Sequence, residues 1–369
     1  MLWQRLLFGA LMILAMAALV VFDAWLSSET PPAGFSFLPQ APTASTMPGD
    51  GLATASGHPP TPGARPGPWN GLPVAVLAVL LVTFGTLEAA ALLRSAGLAP
   101  PAAWSAFVGA GLCLIPWVEM IQQTCALRPL LGLGTGQVPL TVLWLTGGLL
   151  GCCLIVLARP TTERAFSNMA AGAFLFAYLG LMTSFVVRIR CLEPGPAGSA
   201  LFIYFILTVK TSDIGAYFTG MAFGRNRLAP VVSPGKTVEG FIGACLLAGL
   251  AGVLGWWLMG SGAGPQGVSA VGERLAQAGN ETPAGLWPAS SSWLPGGRYW
   301  LIQALFFGIL MAVMGHVGDL VESTWKRDLG AKDSARVIPS FGGVLDIIDS
   351  PVLAAPVAWI WFTAVLGMG

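Results

Sequence analysis

Between Gly318 and Asp349 the chain places six carboxylates (Asp319, Glu322, Asp328, Asp333, Asp346, Asp349) and four cationic side chains (Lys326, Arg327, Lys332, Arg336) within 32 positions. These are ten of only 35 charged residues in 369. Carboxylates are hard oxygen donors, and Mg²⁺ prefers one or two of them plus substrate phosphates over a full protein cage. The stretch carries a net −2, and two divalent ions would bring it to +2. That balance suits a site that holds a triphosphate while metals act on the reacting phosphorus. A solvated loop is the competing reading. Pro339, Gly342-Gly343 and the apolar flanks favour a segment folded back against apolar structure.

A second cluster runs Gly224-Arg225-Asn226-Arg227-Leu228-Ala229-Pro230, then Ser233-Pro234-Gly235-Lys236-Thr237-Val238-Glu239-Gly240. Its Gly-Lys-Thr is not a Walker loop, because that motif needs Gly where Pro230 stands. A Gly- and Ser-containing turn with Lys236 leading into a helix can still bind phosphate through backbone N–H groups. An ordinary basic loop is the alternative. Just upstream, Lys210 and Asp213 lie three apart on one helical face, as an ion pair or as part of the same cavity.

The elements that must position these residues are membrane spans. Hydrophobic residues make up 55% of the chain and charged ones 9%, against about 25% charged in soluble domains, and mean hydropathy is +0.73. A net charge of +1 gives no basic field for nucleic acid. Six Cys without metal-ligand spacing give no disulfide or zinc framework. The fold class is therefore an all-α integral membrane protein with about nine transmembrane helices and a polar, cytoplasm-facing active-site cavity. Runs near 6–26, 72–93, 102–118, 138–157, 166–187, 200–222, 241–259, 299–317 and 350–368 approach the roughly 20 apolar residues a span needs.

The run at 1–27 is read as a retained first helix: its apolar core outlasts a signal peptide's, and no small-x-small site precedes Asp23. Residues 28–70 are Pro/Gly/Ser-rich and are expected to form a flexible extracytoplasmic loop, with a second such loop at about 260–298. Residues 71–199 then form the N-terminal helices and 200–369 a catalytic membrane domain. With nine crossings, eleven Lys and Arg fall on the N-terminal side and six on the other, which puts the N-terminus and both polar clusters in the cytoplasm.

Ser323-Thr324-Trp325-Lys326-Arg327, Lys332-Asp333-Ser334, Ile338-Pro339, Gly342-Gly343, Asp346 and Asp349 together resemble the C-terminal signature of the phosphatidate cytidylyltransferases. Asp213–Tyr217, Ser233–Gly240 and Gly318–Ser323 match the same family, over roughly 205–355. Trp325 stands where the family takes an aliphatic residue or Phe. Phe341 replaces a usual His, and Ile347 a usual Arg; these changes remove a proton carrier and a fixed positive charge.

The resemblance implies transfer of a cytidylyl group from CTP to phosphatidic acid, giving CDP-diacylglycerol and pyrophosphate, in a bacterial cytoplasmic membrane. It implies Mg²⁺, with two metal ions, the second either Mg²⁺ or a different cation, and a homodimer embedded among membrane lipid. It assigns Asp319, Asp346, Asp349 and Asp213 to metal and Lys326, Arg327, Lys332 and Asp333 to catalysis. Ser233, Lys236, Thr237 and Ser323 would bind substrate. The alternatives are a CTP-dependent enzyme acting on another lipid phosphate, a CTP-dependent lipid kinase, and, remotely, a transporter using Lys210 and Asp213. The other polar residues read as ordinary: Glu88 and Glu119 as acids that hydrogen-bond between helices, with a lipid-facing cavity as the alternative, and His316 as a polar side chain near a helix end, with action through a neighbouring ligand as the alternative.

Overall fold

A computed structural model describes residues 18–19, 21–23, 69–124, 139–193, 195–260, 299–331 and 343–366. Eight helices among them are long and apolar enough to cross a membrane, and the chain is a multi-pass membrane protein. They are α1 (Leu72–Ser95), α2 (Ala102–Thr124), α3 (Leu140–Leu157), α4 (Ala165–Cys191), α5 (Pro196–Phe223), α6 (Val238–Gly260), α7 (Tyr299–Asp328) and α8 (Leu345–Ile360, continuing as a π-turn over Trp361–Val365). They correspond to the second to ninth expected spans. The first lies almost wholly outside the described residues, as do 28–68 of the first loop and 261–298 of the second.

Apolar side chains pointing outward identify the lipid-facing surface. On α6, Ile242, Leu246, Leu250, Leu254 and Trp257 are all more than half exposed and recur every three or four residues, so they form one stripe. Ala244 and Ala248, on the opposite face, are fully buried. Small residues let backbones approach there, as is usual between membrane helices. A Cβ added at Gly308 on α7 would collide with the Ala248 carbonyl, and one at Gly252 on α6 with the Ala304 carbonyl. The largest core cluster joins α5, α6, α7 and α8 around Phe205, Phe307, Met311 and Phe362, each buried. A second joins α1, α2 and α4 to Leu345, Ile348 and Val352 of α8. Thus α8 packs against both groups of helices.

One end of the bundle is pinned by a buried polar knot. The Arg190 Nε donates to the Asp23 carboxylate, and both side chains are fully buried. Ser199 Oγ donates to the same carboxylate (2.8 Å), and Arg190 Nη2 donates to Asn70 Oδ1 (2.8 Å). This knot joins the N-terminal segment to the ends of α1, α4 and α5. The polar clusters of interest lie at the opposite end.

The two helices that carry the charged stretch both extend beyond the hydropathy boundaries. The eighth run, expected to end near 317, continues as α7 to Asp328, and the ninth begins at Leu345 rather than 350. Seven of the ten charged residues in the stretch (Asp319, Glu322, Lys326, Arg327, Asp328, Asp346 and Asp349) are therefore on helices. Asp319, Glu322, Ser323 and Lys326 recur at three- and four-residue spacing and share one face of α7.

Candidate active site

Residues 224–237, expected as a Gly- and Ser-containing turn, form a small antiparallel hairpin between α5 and α6. Strand β1 (Arg227–Ala229) pairs with β2 (Ser233–Thr237), with Arg227 opposite Thr237 and Ala229 opposite Ser233. Its base is tied by Glu239, whose carboxylate accepts the backbone N–H of Arg225 (3.1 Å) and of Asn226 (3.2 Å) and the Asn226 amide (2.8 Å). The Thr237 hydroxyl oxygen accepts the Gly240 N–H (3.1 Å), capping α6. Held in this way, the hairpin places Lys236 Nζ 2.7 Å from Asp319 Oδ2 on α7. Arg327 Nε donates to the Val232 carbonyl (3.3 Å), so the end of α7 also touches the hairpin turn.

Across α7 and α8 the central group is Lys326. Its Nζ lies 2.5 Å from Asp346 Oδ1 and 3.0 Å from Glu322 Oε1, and Glu322 is almost completely buried. The other Asp346 oxygen accepts the Gly343 N–H (2.7 Å). The two helices touch at their backbones here, because a Cβ at Gly318 would collide with the Asp349 carbonyl oxygen. That contact sets Asp319 beside Asp349. Asp319 Oδ1 accepts the Ser323 hydroxyl (3.2 Å), and Asp349 Oδ1 accepts the Ser350 N–H (2.6 Å). Asp213, Asp319 and Glu322 all lie close enough to Asp349 to interact with it electrostatically.

Lys210 joins α5 to this group by a route set in the sequence of α8. Pro351 has no N–H to offer the carbonyl four residues earlier, so the Ile347 oxygen is left open inside the helix. Lys210 Nζ donates to it (3.2 Å) and also pairs with Asp213 (3.3 Å). A lysine thus stands beside Ile347, where the resembling family places an arginine.

Five carboxylates (Asp213, Asp319, Glu322, Asp346, Asp349) therefore share this end of the bundle with three lysines (Lys210, Lys236, Lys326). The surplus of hard, negative oxygen donors fits a divalent cation. Among the described residues no three His, Cys, Asp or Glu side chains converge as a ready-made cage. Mg²⁺ does not need one, since it keeps waters and takes the rest of its ligands from substrate phosphates.

Of the residues singled out from the sequence, the fold brings together Asp213, Lys236, Asp319, Ser323, Lys326, Asp346 and Asp349. Ser233, Thr237 and Arg327 sit at the rim on or against the hairpin. Lys332, Asp333 and Phe341 lie outside the described residues. Trp325 meets Phe174 of α4 edge-on, with ring centroids 6.4 Å apart. His316 packs edge-on to Phe241 (5.2 Å), with Nδ1 3.0 Å from the Ala312 carbonyl. Among the links not legible in the sequence are the one from Lys210 to α8 and one from Glu88 on α1. Glu88 accepts the N–H groups of Val344 (3.0 Å) and Leu345 (3.1 Å) at the start of α8. Pro351 and the lone carboxylate of α1 were the available signals.

A sequence model described as the cytidylyltransferase family matches residues 68–365, nearly all of this bundle. The chain belongs to the cytidylyltransferase family. It is 34% identical over 157 residues to a phosphatidate cytidylyltransferase of Chlamydia muridarum, covering 42% of this chain and 41% of that protein. It is 30% identical over 246 residues to one of Synechocystis, covering 60% and 70%. A third, from Mycobacterium tuberculosis, is 29% identical over 230 residues, covering 59% and 58%. The matched stretch thus spans less than two thirds of the chlamydial and mycobacterial proteins.

Proposed function

We propose that this protein transfers the cytidylyl group of CTP to phosphatidic acid, releasing pyrophosphate and forming CDP-diacylglycerol for phospholipid synthesis. The observation that carries the reading is the joining of the two sequence clusters. The hairpin lysine reaches Asp319 on α7, and Lys326 bridges α7 to Asp346 on α8, within a bundle matched by a cytidylyltransferase family.

The attacking group is a phosphate oxygen of the lipid, already anionic near neutral pH, so no strong general base is needed. The bond formed is from that oxygen to the α-phosphorus of CTP. The bond broken is from the α-phosphorus to the oxygen bridging to the β-phosphate, and the electron pair leaves with pyrophosphate. The protein's work is alignment and charge neutralisation. Lys326 at the centre of the site, Lys236 beside Asp319 and Arg327 at the rim are cations suited to the triphosphate and the leaving pyrophosphate, with Lys332 and Asp333 following in the next segment. Ser233, Thr237 and Ser323 offer hydroxyl donors to phosphate oxygen. Asp319, Asp346, Asp349 and Asp213 would hold Mg²⁺, as two ions on the resemblance, which would turn the local negative surplus into the positive charge a triphosphate needs. When bound, the metal supplies Lewis-acid neutralisation of phosphate charge.

We further propose that the site faces the cytoplasm of a bacterial cell membrane and that the protein works as a homodimer, as the resemblance implies. Arg94, Arg159, Arg164, Arg225, Arg227, Lys236, Lys326 and Arg327 gather at the end of the bundle that holds the site, against Arg188 and Arg190 at the other, which supports that orientation.

Labelled CTP tests the reaction. Label at the α-phosphorus is expected in the lipid and label at the γ-phosphorus in pyrophosphate. Gamma label in the lipid would instead identify a kinase that releases CDP.

A further inference from the structure

We infer that Glu88 is a positioning residue for the site, holding α8 so that Asp346 and Asp349 keep their places; the inference rests on the function proposed above. The first N–H groups of a helix have no partner within it. At the start of α8, whose N-cap is Val344, two carboxylates take the N–H groups of Gly343, Val344 and Leu345. Asp346 Oδ2 takes the Gly343 N–H (2.7 Å), while Glu88 takes Val344 with Oε1 (3.0 Å) and Leu345 with Oε2 (3.1 Å). Both Glu88 oxygens are thus engaged with a helix more than 250 residues away in the chain.

The geometry is enforced by packing. One turn before Glu88, Gly85 faces α8 so closely that a Cβ there would lie 3.3 Å from Ile348 Cδ1 and 4.0 Å from Leu345 Cδ1. Gly85 makes room for the Ile348 side chain against α1, and Glu88 fixes the start of α8 beside it. A negative side chain at a helix N-terminus is also favoured by the helix dipole.

The consequence concerns Asp346. It lies next to the same N–H groups and has two oxygens, one of which reaches Lys326. With Glu88 removed, Asp346 is the nearest carboxylate for the orphaned Val344 and Leu345 donors, and capping them would draw it away from Lys326. Glu88 keeps Asp346 on Lys326, facing the site. The N-terminal helices therefore contribute to the chemistry of the C-terminal ones without touching substrate.

The test compares wild type, Glu88→Gln and Glu88→Ala in detergent, by amide hydrogen exchange and by turnover with CTP, Mg²⁺ and phosphatidic acid per folded molecule. Gln keeps one acceptor oxygen and Ala none. Exchange in a peptide covering 343–350 is expected to speed up in the order wild type, Gln, Ala, with a peptide from the middle of α7 unchanged. Turnover number is expected to fall in the same order, by roughly 10- to 100-fold for Ala. Unchanged exchange at 343–350, or full turnover per folded Glu88→Ala molecule alongside a lowered melting temperature, would overturn the inference and leave Glu88 a packing residue. A wild type that exchanges as expected but does not turn over would refute the proposed reaction, while the exchange order would still decide what Glu88 does.

Discussion

Lys326 Nζ and Asp346 Oδ1, twenty residues apart in sequence and on different helices, lie 2.5 Å apart and join α7 to α8 at the centre of the acidic cluster. Lys326 also pairs with Glu322 on its own helix, so one ammonium group balances two largely buried carboxylates. Replacing it with Ala leaves uncompensated negative charge where phosphate must bind. Turnover of Lys326→Ala is expected to fall by roughly 100-fold or more. Lys210→Ala, which removes a half-exposed pair with Asp213, is expected to cost much less. Equal losses in a purified assay would mean the charge that matters has been misassigned.

Gly318 is where α7 and α8 touch. A methyl group there meets the Asp349 carbonyl, a backbone atom with no freedom to swing aside. Gly318→Ala is therefore expected to displace α8 from Asp319 and lower turnover by roughly 10-fold or more, with the protein still inserted and folded. Gly147, with open space around its Cα, is the control, and Gly147→Ala is expected to behave as wild type.

At the other end of the bundle, Asp23 neutralises the fully buried Arg190. Removing one partner of such a pair typically costs about 3–5 kcal/mol, because the other charge stays buried. Asp23→Ala is expected to lower the melting temperature in detergent markedly. At temperatures where it remains folded it is expected to keep wild-type turnover, since the site lies at the opposite end. A loss of turnover without a loss of stability would show that the two ends are coupled.

The Lys236–Asp319 pair links the hairpin to α7. On the proposed function, Asp319→Asn is expected to raise the Mg²⁺ concentration needed for half-maximal turnover, and Lys236→Met to raise the KM for CTP. Chelation with EDTA is expected to abolish turnover, and added Mg²⁺ to restore it. Turnover that is indifferent to EDTA would exclude the assigned metal role of the aspartates.

The spans were legible because a run of apolar residues has one physical meaning in a chain this poor in charge. Their ends were less so. Hydropathy stops α7 near 317, yet Asp319, Glu322, Ser323 and Lys326 recur at helical spacing and extend it by three turns, a signal that composition hides. On α8, Asp346 and Asp349 show the same spacing of three. The identity of the site's acids and lysines came from their order along the chain. Their pairing did not. Nothing local links Lys236 to Asp319, Glu88 to Val344, or Asp23 to Arg190, because these contacts depend on which helices become neighbours. Lys210 is intermediate: its pair with Asp213 was readable, but its bond to Ile347 required knowing that Pro351 sits inside a helix facing it.

Pyrophosphate release by the purified protein, supplied with CTP, Mg²⁺ and phosphatidic acid, tests the central claim most directly, with Asp346→Asn as the control. The account predicts release that requires all three additions and is lost in the variant. No release from folded wild-type protein, or undiminished release from Asp346→Asn, would contradict it.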